Sequence, residues 1–137
     1  MQVNICTRLI DKMIKNGHKF VNKQIILTNS LPLGIYTTQS YKPNEILRVM
    51  SGKMLNIATQ NSIHIGDNMH LEDEIGQYIN HSFEPNIKIV GNKLVAIKYI
   101  NMYEEITFNY NENELEMVCP FEDNGIKVCG KIVKPKL

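Results

Sequence analysis

The sequence predicts a mostly β, β-rich α+β domain, and three observations carry that expectation. Short runs rich in β-branched residues recur through most of the chain, bounded by Gly, Pro, Asn and Ser. Two alternating runs are separated by only Gly91-Asn92, a hairpin signal. Clear helical periodicity is confined to one stretch near the N-terminus.

Taken in order, residues 1–22 read as an N-terminal helical extension. Leu9, Ile10, Met13 and Ile14 share one helix face between Cys6 and Asn16, with Thr7 as a cap and Gly17 as a terminator. That apolar face predicts burial, against the core or in a dimer contact. A core over residues 23–112 follows. Lys23 to Thr28 is a strand, Ser30-Leu31-Pro32-Leu33-Gly34 a turn, and Ile46 to Met50 a strand closed by Ser51-Gly52. Between Asn56 and Asp73 the pattern weakens to short strands and loops. Ile87 to Val90 and Lys93 to Ile97 form the hairpin, and Glu105 to Tyr110 alternates as a further strand. The remaining segment, 113–137, begins within an acidic run at 111–118 that suits a turn of helix and ends in a loose basic tail.

Composition narrows the function classes. At 137 residues the chain holds a single core, and 43% apolar with 21% charged residues is an ordinary globular balance. Fifteen basic and 14 acidic residues leave a formal charge of +1, which gives no footprint for nucleic acid or an anionic membrane. The apolar runs are too short to span a bilayer, and the N-terminus lacks the pattern of a secretory signal. Three cysteines at irregular spacing fit a reduced, soluble intracellular protein better than a disulfide scaffold.

The chemistry concentrates in two segments. In Tyr78-Ile79-Asn80-His81-Ser82-Phe83-Glu84-Pro85-Asn86, turn formers with donor and acceptor side chains follow a core anchor, which suits capture of a polar ligand. Alone, the tripeptide also reads as a hydrogen-bonded turn. The second is Glu104-Glu105-Ile106-Thr107-Phe108-Asn109-Tyr110. Together they resemble the SET-domain protein-lysine methyltransferases, whose Asn-His-Ser-x-x-Pro-Asn segment precedes a hairpin and a Gly-Glu-Glu-(Leu/Ile)-Thr segment ending in Tyr. Gly34-Ile35-Tyr36, Lys42-Pro43-Asn44-Glu45-Ile46 and Gly52 are similar to the family's N-terminal region, so the resemblance covers roughly residues 25–130.

The resemblance implies several small sheets with a pseudoknot-like threaded C-terminal segment, and transfer of methyl from S-adenosylmethionine to a lysine ε-amine. It implies Tyr110 at the reacting centre. Cofactor contacts fall on Leu33, Gly34, Ile35, Asn80 and His81, with Phe121 packing over the cofactor. Tyr36 and Tyr78 become walls of a lysine channel, where aromatic faces accept a methylated ammonium. Ile89 lies near the position that limits methyl number; an aliphatic residue there cannot hold a water, which allows higher methylation. Glu104 and Glu105 are expected to brace the threaded loop. The implied partner is a lysine-bearing protein, with histone tails as one acceptor class. Free-standing domains of this size occur in viruses and bacteria, and one acting on a host would reach the host nucleus.

Four departures bear on that expectation. Pro32-Leu33 precedes Gly34 where the family has Gly-x-Gly, Met50 replaces a tyrosine, and Tyr103 replaces a glycine. The segment from Cys119 to Gly130 resembles a degraded post-SET tail with two cysteines, too few for a closed tetrahedral zinc site, so no zinc is expected. Three rival readings remain: a SET-fold binding module without turnover, an enzyme acting on a small-molecule or peptide amine, and an orphan β-rich interaction domain in which the tripeptide is a coincidence.

Overall fold

The computed structural model describes residues 34–131, together with the strand backbone at 20–21 and 25–27. The expected helix at 7–16, Pro32, Leu33 and the basic tail from 132 onward lie outside the described residues.

Thirteen short strands are described, and they form several small sheets. β1 (Phe20–Val21), β2 (Ile25–Leu27) and β3 (Ile35–Thr37) make an antiparallel sheet in chain order. β4 (Ile46–Val49), β9 (Ile87–Val90) and β10 (Lys93–Ala96) make a second, with β10 in the middle. The predicted hairpin is its centre: Lys93 pairs with Val90 across Gly91-Asn92, and Gly91 sits at φ +58°. β5 (Gly52–Leu55), β6 (Ile63–Gly66) and β7 (Met69–Asp73) fill the stretch whose pattern was weak, with β7 central. A 3₁₀ turn at Gly76–Tyr78 then leads into β8 (Asn80–His81).

β8 pairs in parallel with β11 (Thr107–Phe108), which holds two segments far apart in the chain side by side. The alternation from Glu105 to Tyr110 predicted one continuous strand; the structure instead begins a helical turn, α1 (Tyr110–Asn113), at the tyrosine. Asn109 is the cause, because its side-chain oxygen accepts the Asn111 N–H at 2.9 Å and caps the turn. The post-SET-like segment is an ordered hairpin of β12 (Phe121–Asp123) and β13 (Ile126–Val128).

Buried residues of these sheets and of the segments between them meet in one apolar cluster that includes Ile35, Leu47, Met50, Ile79, Leu94, Ile100 and Ile106. Met50, at the family's tyrosine position, is 1% exposed and packs toward Gly76 and Ile63. No helix of the described residues is long and apolar enough to cross a membrane.

Candidate functional site

The parallel pairing sets Thr107 beside Asn80 and Phe108 beside His81. Asn86 locks the crossing: its amide donates to the Glu105 carbonyl at 2.8 Å and its side-chain oxygen accepts the Thr107 N–H at 2.9 Å. Ser82 N–H adds a bond to the Phe108 carbonyl at 3.1 Å. The turn formers of the Asn-His-Ser-x-x-Pro-Asn segment therefore clasp the strand that carries Tyr110.

Tyr110 is fixed at both ends. Its main-chain N–H donates to His81 Nδ1 at 3.0 Å, so Nδ1 is the acceptor and the neutral imidazole carries its proton on Nε2. Its hydroxyl donates to the Ile79 carbonyl. Burial, followed by the Glu114 and Glu105 carboxyls, pushes the phenol well above its ordinary ionisation range and keeps it neutral. The ring lies edge-on to His81, with centroids 5.3 Å apart, and to Phe121 at 6.2 Å. Phe121 also meets His81 at 6.1 Å, and Asp123 Oδ2 stands 4.0 Å from His81 Nε2. Burial lowers the His81 pKa, with Asp123 opposing the shift.

A second grouping lies on the other side of Asn80. Its side-chain amide donates to Glu105 Oε2 at 2.7 Å. A Cβ added at Gly34 would stand 2.4 Å from Glu105 Oε2 and 2.9 Å from Asn80 Nδ2, so a side chain there would have to displace these two groups. Tyr36 bridges Glu105 through the main chain, and burial followed by that carboxyl pushes its phenol up to about 12. Burial raises the Glu105 pKa too, with the Asn80 donor opposing. A half-buried carboxyl beside an amide and a bare backbone is a donor set that fits an amino-acid head group, with the carboxyl facing an α-ammonium.

Tyr110 and Ile79 also line a cleft with two stretches of chain: Thr59 to Ser62 with Ile63 at the start of β6, and Glu114 with Glu116 to Cys119 after α1. Gly76 and Gln77 close its floor. The structure thus brings Gly34, Asn80, His81, Tyr110 and Phe121 into one neighbourhood, with the buried Ile35 beside Gly34 on β3. Tyr36 sits on the Glu105 side and Tyr78 is buried in the 3₁₀ turn; the lining of the cleft includes neither. Ile89 lines a separate depression with Pro85, Phe108 and Asn113. Leu33 lies outside the described residues.

Two carboxyls escaped the sequence reading as site groups. Glu105 was read as a brace, and its contact with Asn80 across 25 residues has no local signature. Glu114 sat in an acidic run, yet its spacing of four from Tyr110 places it on the same side of a helical turn. Among the described residues no group of three or more His, Cys, Asp or Glu could hold a metal ion. Among the described residues Cys129 is a free thiol.

Comparison with known proteins agrees with this fold. A family model described as the SET domain matches residues 12–111. A candidate histone methyltransferase from Plasmodium falciparum is similar in structure, with a TM-score of 0.51 and 22% identity over 70% of this chain and 100% of that one. A humanized mutant of the Chaetomium thermophilum Polycomb Repressive Complex 2, bound to the inhibitor GSK126, gives a TM-score of 0.50 and 16% identity over 83% of this chain. The match spans 19% of that longer chain. Among curated proteins no sequence matches significantly. With the family match running over most of its length and through both motif segments, this chain belongs to the SET domain family.

Proposed function

We propose that this domain transfers a methyl group from S-adenosylmethionine to a lysine ε-amine of a protein substrate, histone tails being the acceptor class to test first. The observation that supports this most is the position of Tyr110. Its main-chain N–H is held by His81 in the threaded crossing, one residue after the Asn80 that meets Glu105, and Tyr110 lines the cleft together with Ile79.

The cofactor, when bound, supplies an electrophilic methyl on a sulfonium. This chain's residues hold and align. Asn80, Glu105 and the bare backbone at Gly34 would take the amino-acid part, while His81 and Phe121 flank the threaded strand on its other side. Tyr110 spends its hydroxyl proton on the Ile79 carbonyl, which leaves the phenol oxygen an acceptor. An acceptor oxygen orients an amine through its N–H and so aims the lone pair, and alignment of this kind supplies much of the rate in a displacement. Glu114 and Glu116 on the cleft wall suit a basic peptide.

The test is transfer of a labelled methyl from the cofactor to histones and to a protein extract, with wild type and Tyr110→Phe compared. Wild type is expected to label a lysine. The variant, lacking the hydroxyl that fixes the ring, is expected to lose on the order of 10²-fold in kcat while binding cofactor within twofold of wild type by calorimetry. Cofactor binding with no transfer to any acceptor would leave a binding module instead.

A further inference from the structure

Amine methylation requires that the acceptor, an ammonium in water, shed a proton before its lone pair can attack. Tyr110 is unsuited to receive it, because its hydroxyl is already a donor to Ile79 and its ionisation is pushed up.

Glu114 is a carboxyl of another kind. It is 6% exposed and lines the same cleft as Tyr110 and Ile79. Its main-chain N–H bonds the Tyr110 carbonyl at 2.8 Å, which fixes its place relative to the phenol. Its carboxylate accepts the His64 N–H, at 3.2 Å to each oxygen, and the Asn113 side-chain amide at 2.7 Å. Two donors leave part of the oxygen acceptor capacity unspent. The charged and titratable groups facing it are His64 on β6, Lys131 beyond β13 and Tyr110 on α1, with Glu116 on the same cleft wall. Burial raises the Glu114 pKa to about 7, against the opposing pull of Asn113, His64 and Lys131. A base is most effective when its pKa lies near the working pH.

We propose that Glu114 is the proton acceptor for the incoming lysine ammonium, a role that rests on the methyltransferase reading above. In this step an N–H bond of the ammonium breaks and an O–H bond forms on a Glu114 oxygen. The nitrogen keeps the electron pair, and the carboxylic acid returns its proton to solvent at the cleft rim, where Val118 is exposed.

Glu114 accepts only when ionised, so kcat/KM in wild type is expected to climb about tenfold per pH unit below 7 and level off above it. Glu114→Gln is expected to lose that limb and on the order of 10²-fold in kcat, with cofactor affinity unchanged. Glu114→Asp, which keeps a carboxyl, should retain the limb. If Glu114→Gln does not fold, the titration of the 13C-labelled Glu114 carboxyl in wild type decides the matter. Its midpoint should coincide with the kinetic one, and a mismatch overturns the role. A Glu114→Gln protein with full kcat and an intact limb overturns it while leaving the transferase standing; wild type that moves no methyl brings down both.

Discussion

Tyr103 is a bulky residue at φ +67°, a left-handed conformation that costs a non-glycine residue about 1–2 kcal/mol. Its side chain is 64% exposed, so packing offsets little of that cost. The conformation is imposed from outside: Tyr103 N–H donates to the Thr37 carbonyl at 2.8 Å, and Glu104 N–H to Asn101 at 3.1 Å. The resemblance puts glycine at this position, the residue for which such a φ carries no Cβ penalty. Tyr103→Gly is therefore expected to raise stability by about 0.5–1 kcal/mol after the added chain entropy of glycine, with no change in cofactor affinity; urea unfolding reads the first and calorimetry the second. Single residues were unevenly legible in the sequence. Asn80, His81 and Tyr110 could be named as candidates because their motifs are ordered along the chain. Glu105 and Glu114 could not, since a carboxylate in sequence carries no mark of whether it faces water or an amide.

At the scale of elements, the turn before the site depends on one buried carboxylate. Asp73, at the end of β7, is 1% exposed. It accepts Arg48 Nε and Nη2 at 3.0 Å each, Ser51 N–H at 3.0 Å, Ile75 N–H at 3.1 Å and Gly76 N–H at 2.6 Å. Those bonds tie β4, the approach to β5 and the 3₁₀ turn to one point, and that turn delivers Ile79 and Asn80. Asp73→Ala strands the partly buried guanidinium and three main-chain donors, so a loss of roughly 3–5 kcal/mol is expected in denaturant unfolding. Hairpins were the elements easiest to read, because two-residue turns announce themselves. β12 and β13 carry that signal as Asn124-Gly125, both at positive φ (51° and 80°). The strand expected to reach Tyr110 stopped at Phe108 because the local Asn109 cap prevailed over a weak alternation.

For the whole molecule, the β-rich class was legible but the partition into small sheets was not. Strands of two to five residues carry too little pattern to name their partners, and the parallel β8–β11 pair joins segments with no local link. Residues on either side of the Gly91-Asn92 turn are sewn together repeatedly. Ile106 N–H bonds the Ile35 carbonyl at 2.9 Å, Tyr41 and Ile100 exchange two bonds at 2.9 and 3.0 Å, and Ala96 N–H bonds Glu45 at 2.9 Å. The clasp of Asn86 around Glu105 and Thr107 adds to these. A protease site engineered at Gly91-Asn92, where added side-chain bulk meets nothing nearby, should thus yield a nicked protein that elutes as one species on gel filtration and separates only in detergent. Elution as two fragments under native conditions would show that the crossing does not hold without chain continuity. Survival of the nick would make the two fragments a complementation pair, each supplying half of a methylation site, so that transferase output could be made to depend on whether two separately expressed polypeptides meet.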